Sequence, residues 1–200
     1  VDESAADGVS AFMWAPNPGM KGGQAIDEII LGETEPSGRL PITFPRHAGQ
    51  LPVYYNQIRG QHGNRYADLT QDPAFAFGEG LGYTTFEYGE MKLSSETLPK
   101  GGNITVTVPV KNTGNYNGTE IVQLYIHDQY ADIARPVKEL KDFRRITLKK
   151  GESQAVTFTL TEDDLKYYNA GLVYKYDAGA FQVMVGPNSR DVQSASFNAE

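Results

Sequence analysis

The sequence predicts an α+β chain in which a fragment of an α/β sheet precedes an all-β sandwich. Residues 12–45 read as an apolar strand end, a Pro- and Gly-rich loop, a short helix and an extended segment, the order that is typical of α/β sheets. From about residue 86, apolar and polar residues alternate with a period of two in several short segments, which is typical of half-buried strands.

The helix is predicted over residues 24–32, because Ala25, Ile26, Ile29 and Ile30 share one face of a 3.6-residue period. Gly32 suits the position just after a helix, where the backbone turns left-handed. After a Pro-Ser-Gly turn, residues 40–44 are predicted to be extended. An extended backbone needs a neighbouring strand for its N–H and C=O groups, and the preceding residues are too few to build a sheet around it.

The sandwich is predicted from residues 86–200. Apolar residues alternate with polar ones in three segments, and a fourth is apolar almost throughout: Ile104–Val110, Val156–Leu160, Phe181–Val185 and Ile121–Ile126. Turn clusters separate about seven such strands, which favours a β-sandwich of immunoglobulin or fibronectin type III kind.

Between the two parts, residues 46–85 keep no apolar period and are rich in Tyr, Gly, Gln, Asn and Asp. A structureless loop of this length is uncommon inside a compact domain. We therefore interpret it as an ordered linker whose aromatic side chains anchor it to both neighbours.

Composition excludes several classes of function. The net charge of −7 argues against nucleic acid and anionic membrane as partners. The chain has no Cys, so disulfides and thiolate metal sites are excluded. The chain has no run of 18 apolar residues, so no transmembrane helix is predicted. Residues 1–14 lack the basic start and the apolar stretch of a signal peptide.

No catalytic or metal-binding residue can be assigned from the motifs. The three histidines, His47, His62 and His127, lie far apart and lack the spacing of metal ligands. Ser37 is outside a nucleophile elbow, and Glu79 lies in a glycine-rich turn. Thr161 or Asp163 is expected to cap a short helix. We expect no metal and no cofactor.

Five blocks, taken together and in order, resemble the C-terminal third of glycoside hydrolase family 3, and in particular periplasmic bacterial β-glucosidases. The blocks are PGMKGGQAIDEIILGETEPSGRLPITFP, LPVYYN, FAFGEGLGYTTFEY, VPVKNTGNYNGTEIVQLYIHD and RPVKELKDFRRITLKKGES. The resemblance covers residues 14–198. Small departures occur at GEGLGY, LKDF and Asn17.

The resemblance implies three parts: the C-terminal end of an α/β sandwich domain (1–45), an ordered aromatic-rich linker (46–85) and a fibronectin type III-like β-sandwich (86–200). The partners would be an upstream TIM-like barrel and α/β domain, in the same gene product or a separate chain. The barrel supplies the Asp nucleophile, whose motif is absent here, so the chain alone is predicted to be inactive. The upstream part would also supply the neighbour of the extended segment 40–44.

The function implied is that of a non-catalytic segment of a retaining β-glycosidase, periplasmic or secreted, that hydrolyses terminal β-linked glucosides or short β-glucans. Four linker side chains could contact the oligosaccharide through stacking faces or donors: Tyr54, Tyr55, Arg65 and Tyr66. Packing is the alternative role for each. The alternatives for the whole chain are a carbohydrate-binding module and a dimerising or structural sandwich.

Overall fold

The computed structural model describes residues 8–58 and 70–200. The N-terminal part has one helix, α1 (Gly22–Ile30), and one turn of 3-10 helix at Ala48–Gln50. The strands that follow are β1 (Phe86–Tyr88), β2 (Lys92–Leu93), β3 (Thr97–Leu98), β4 (Asn103–Asn112), β5 (Gly118–Asp128), β6 (Glu139–Leu148), β7 (Ser153–Thr161), β8 (Tyr167–Tyr168), β9 (Tyr174–Lys175), β10 (Gly179–Gly186) and β11 (Gln193–Ala199). A short helix, α2 (Glu162–Leu165), follows β7.

The strands form two sheets that face each other. In the first, β4 pairs antiparallel with β7 on one side and with β1 and β2 on the other. In the second, the order is β3-β11-β10-β5-β6, with β3 parallel to β11 and the other pairs antiparallel. The remaining pair, β8 and β9, makes a separate hairpin. The predicted β-sandwich is therefore confirmed.

The core lies between the two sheets and consists of the inward-facing residues of the alternating strands. Val106 of β4, Phe158 of β7 and Val183 of β10 are all fully buried. Alternation thus located the core correctly, since successive side chains of a strand point to opposite faces of a sheet.

Proline in the central strand β4 explains why the edge of the first sheet is broken. Pro109 has no backbone N–H, and its carbonyl accepts a hydrogen bond from the Gly89 N–H at 2.8 Å. In an antiparallel strand both backbone groups of a residue point the same way. The missing donor therefore faces the interval between β1 and β2, where regular pairing stops.

The predicted helix is present, two residues earlier than expected, and ends as its sequence indicates. Gly32 has a φ of +77°. Its N–H bonds the Ile29 carbonyl at 3.0 Å, and the Glu33 N–H bonds the Glu28 carbonyl at 2.8 Å. This pair of bonds is a Schellman motif, which closes the last turn and satisfies carbonyls that the helix leaves unpaired.

The extended segment 40–44 finds a partner within the chain, which corrects the expectation that its neighbour lies upstream. Leu40 exchanges backbone hydrogen bonds with Gly78 and Glu79, and Phe44 does so with Ala74 and Phe75. Only the Phe44–Phe75 bridge has regular pairing in this region. The expectation failed because the linker folds back beside the segment, a long-range return that local sequence does not reveal.

Candidate interdomain site

The linker covers the part of the outer face of the second sheet that lies over β5. Tyr55 stacks on Phe77, with ring centroids 4.1 Å apart and planes 15° from parallel. The same Tyr55 ring meets the edge of Tyr125, a fully buried residue of β5, at 5.9 Å. The Tyr55 hydroxyl accepts a hydrogen bond from the Leu140 N–H at 3.4 Å. These aromatic contacts hold residues 55 and 77 against the sandwich.

Gln123 joins the linker to the sandwich through hydrogen bonds under this aromatic layer. Its side-chain amide donates to the Gly78 carbonyl at 3.1 Å and also to the Pro187 carbonyl. Its amide oxygen accepts from the Tyr125 hydroxyl at 2.6 Å. Gly78 has no room for a side chain, because a Cβ there would lie 2.1 Å from the Gln123 Oε1. Gln123 is not among the residues predicted from the sequence, although the nearly unbroken apolar run around it is the signal of a strand buried on both faces.

A buried ion pair fixes the N-terminal part to one end of the sandwich. Arg39 Nη2 and Glu120 Oε2 are 3.0 Å apart, and their side chains are only 11% and 5% exposed. Tyr88 donates its hydroxyl hydrogen to the other Glu120 oxygen at 3.1 Å. Burial raises the pKa of Glu120, although Arg39 and these hydrogen bonds act in the opposite direction. The pKa of Tyr88 is also raised. Burial is the larger cause, and the negative charge of Glu120 is the next largest.

A second carboxylate, Glu35, binds next to this pair. Its Oε2 accepts a hydrogen bond from the Thr119 N–H at 2.6 Å. Gly118 makes this approach possible, because a Cβ there would lie 2.5 Å from the Glu35 Oε1 and 2.2 Å from the Thr84 Cγ2. The turn from α1 into the extended segment is therefore positioned directly on the start of β5.

The predicted sugar contacts fall into two groups. Arg65 and Tyr66 lie outside the described residues. Tyr54 is 60% exposed, whereas the adjacent Tyr55 contacts Phe77 and Tyr125 with its ring. Of the four, Tyr54 is the described side chain that offers a ring to an outside ligand.

Among the polar side chains considered for a site, His62 lies outside the described residues, and Glu79, His127 and Thr161 have structural partners. Glu79 accepts a hydrogen bond from the Ala76 N–H at 2.7 Å, and His127 Nδ1 lies 2.8 Å from the Pro136 carbonyl oxygen. Thr161 caps α2 together with the Asp164 carboxylate. Of the two residues predicted as the cap, Thr161 and Asp163, Thr161 is therefore the one observed. Within residues 8–58 and 70–200, no three His, Asp or Glu side chains are grouped so that they could hold a metal ion.

Apolar side chains around α1 are exposed, and we call them the N-terminal apolar surface. Trp14 and Phe44 pack edge to face, with centroids 5.6 Å apart, so Trp14 is partly covered. Other apolar residues of this region stay exposed: Val9, Phe12, Met13, Met20, Ile30, Leu31 and Ile42. Trp14 and Ile29 are half-buried. Among the helices of the described part, none has the length and apolar character needed to cross a membrane.

Comparison with known proteins agrees with this architecture. Residues 1–83 match the model of the glycosyl hydrolase family 3 C-terminal domain, and residues 120–189 match that of the fibronectin type III-like domain. The chain has the C-terminal domains of glycoside hydrolase family 3. The predicted resemblance to family 3 and the predicted fold class are confirmed by these matches.

Individual relatives of family 3 match nearly the whole chain. A periplasmic beta-glucosidase of Salmonella typhimurium is 40% identical over 90% of the chain, and a beta-xylosidase of Formosa agariphila is 41% identical over 91%. The structure of a β-glucosidase involved in saponin metabolism from intestinal bacteria is 51% identical over 94% of the chain, with a TM-score of 0.87. The chain spans only 25% and 26% of the length of the two curated relatives, and 26% of the solved chain.

Replacement of Arg39 by Met is expected to destabilise the chain strongly. The substitution keeps the apolar stem but leaves Glu120 buried without its charged partner, which costs about 3 kcal/mol of unfolding free energy. Arg144→Met is the control, because Arg144 pairs with Asp142 at the surface and its loss should cost under about 1 kcal/mol. Urea unfolding measures both. Equal effects of the two substitutions would show that the Arg39–Glu120 pair does not hold the N-terminal part.

Proposed function

We propose that the chain is the non-catalytic C-terminal segment of a retaining β-glycosidase, and that it braces the catalytic domains. The proposed enzyme hydrolyses terminal β-linked glucosides or short β-glucans through a covalent glycosyl-enzyme and two carboxylates. The observation that carries the proposal is the match of nearly the whole chain to about a quarter of enzymes named beta-glucosidase and beta-xylosidase. The remaining length of such an enzyme would supply the nucleophile.

The bracing role is supported by the linker, which contacts both neighbours. Phe77 packs on the sandwich through Tyr55, while Phe75, two residues earlier, bridges Phe44 of the N-terminal part. The division into an α/β end piece (1–45), a linker (46–85) and a sandwich (86–200) is part of this proposal. So is a periplasmic or secreted location, which is supported by the name of the Salmonella relative.

Hydrolysis of an aryl β-glucoside tests the proposal. The whole protein that carries this chain is expected to release the aryl alcohol, and residues 1–200 alone are expected to give no turnover. The anomer formed first, read by NMR, should have the same configuration as the substrate. Turnover by residues 1–200 alone would contradict the non-catalytic role, and an inactive whole protein would contradict the glycosidase.

The N-terminal apolar surface is proposed to pack against the upstream domains. Ile30→Asp or Leu31→Asp in the whole protein is then expected to lower its stability by about 2 kcal/mol or more, because a carboxylate would be buried in an apolar contact. Phe143→Asp is the control, since Phe143 is an exposed apolar residue of the edge strand β6. Thermal unfolding of the whole protein measures the effect. If either substitution lowers the stability no more than Phe143→Asp does, the N-terminal apolar surface does not pack against the upstream domains.

Contact between the linker and the oligosaccharide remains part of the proposal for Tyr54, Tyr55, Arg65 and Tyr66. Tyr54→Ala is expected to raise KM with little change in Tm, since the ring is exposed. Tyr55→Ala is expected to lower stability by about 2–3 kcal/mol, because it removes the ring between Phe77 and Tyr125. An unchanged KM for Tyr54→Ala would contradict a sugar contact through Tyr54.

A further inference from the structure

The hairpin of β8 and β9 is closed by a loop that its own hydrogen bonds hold in place. The Asn169 side-chain oxygen accepts from the N–H groups of Gly171 and Val173, both at 3.0 Å. The backbone N–H of Asn169 bonds the Val173 carbonyl at 3.1 Å. Leu172, between them, has a φ of 60°, a left-handed conformation that is uncommon for a residue other than Gly.

One face of the hairpin is anchored to the sandwich. Tyr167 is buried, and the Arg135 guanidinium lies 4.5 Å above its ring centroid. Lys175 pairs with Asp132 at 2.7 Å and with Asp177 at 2.6 Å. The hairpin is therefore fixed to the loop between β5 and β6 as well as to the start of β10.

The opposite face presents two tyrosine rings to solvent. Tyr168 and Tyr174 are 63% and 52% exposed, with ring centroids 4.9 Å apart and planes 37° from parallel. Tyr168 and Tyr167 are successive residues of β8, so they point to opposite faces, and burial of Tyr167 leaves Tyr168 outside. Leu172 and Val173 continue the exposed apolar area at the tip.

We propose that these two rings form a binding platform for a β-linked glucan chain. Tyrosine offers an apolar face together with a hydroxyl group, which suits a pyranose with its C–H face and its ring of hydroxyls. The ion pair of Asp163 and Lys166, 2.6 Å apart, supplies charged hydrogen-bonding groups just before the hairpin in the chain. The sugar class rests on the proposed function.

The size of the surface favours a small ligand over a protein. The exposed apolar side chains of the hairpin number four: Tyr168, Leu172, Val173 and Tyr174. A standard protein interface takes about 20–30 residues from each partner. Two adjacent rings match the contact area of one or two sugar units far better.

Affinity electrophoresis in gels that contain soluble mixed-linkage β-glucan tests the platform. The whole protein is compared with its Tyr168→Ala/Tyr174→Ala variant, with Tyr168→Phe/Tyr174→Phe, and with the control Tyr116→Ala, an exposed tyrosine that is 64% accessible in the turn before β5. The Ala pair is expected to weaken glucan binding about tenfold. The Phe pair keeps the ring faces and should retain most of the binding, and the control should migrate like the unmodified protein.

Three outcomes would overturn the platform. The first is that glucan does not retard the unmodified protein, and the second is that the Ala pair is retarded as strongly as the control. Sedimentation could also show that the Ala pair loses self-association while its glucan binding is unchanged, which would make the hairpin a contact between copies. Hydrolysis of the aryl β-glucoside by the same variants reports separately on the proposed function, because so small a substrate does not need the platform.

Discussion

Burial of both faces of β5 is the constraint on which the rest of the structure depends. Val122, Leu124 and Ile126 face the core, while Gln123 and Tyr125 on the other face are also buried. A sheet of a two-layer sandwich normally covers one face and leaves the other in water. Here the second face needs a cover, and the linker provides it through Tyr55, Phe77 and the carbonyl of Gly78. The sandwich and the N-terminal part therefore form one structure, because the linker completes both.

The polar contacts at this junction specify its geometry more than they add to its stability. A buried ion pair such as Arg39–Glu120 has to repay the cost of taking two charges out of water, so its net contribution is small even though its disruption is costly. The same reasoning applies to Gln123, whose amide is satisfied in one arrangement only. Apolar contacts alone would allow the linker to slide over the sheet. The fixed donors and acceptors select a single register.

The sequence predicted those features that depend on local pattern. Alternation located the buried residues of β4, β7 and β10, and Gly32 marked the end of α1, because both signals are contained in a few consecutive residues. The partner of residues 40–44 could not be predicted in the same way. It comes from residues 74–79, more than 30 positions later, in a segment without an apolar period. The role of Tyr55 could not be predicted from the sequence for a related reason. A tyrosine ring can stack on a sugar or on another aromatic side chain, and its contact with Phe77 depends on how the chain folds.

The N-terminal apolar surface and the β8–β9 hairpin are both exposed apolar regions of the described residues, and they differ in a way that bears on their roles. The N-terminal apolar surface is built of aliphatic and aromatic side chains around the C-terminal end of α1, where Ile30 and Leu31 lie. Such a surface is typical of an interface with another domain. The hairpin is narrow, held by Asn169 and by the ion pairs of Lys175, and its exposed rings are both tyrosines. A tyrosine side chain has a hydroxyl group beside its apolar ring, so the hairpin surface can remain in contact with water until a ligand binds. Ile30 and Leu31 have no polar group, and their exposure to water is relieved only when another apolar surface packs on them permanently.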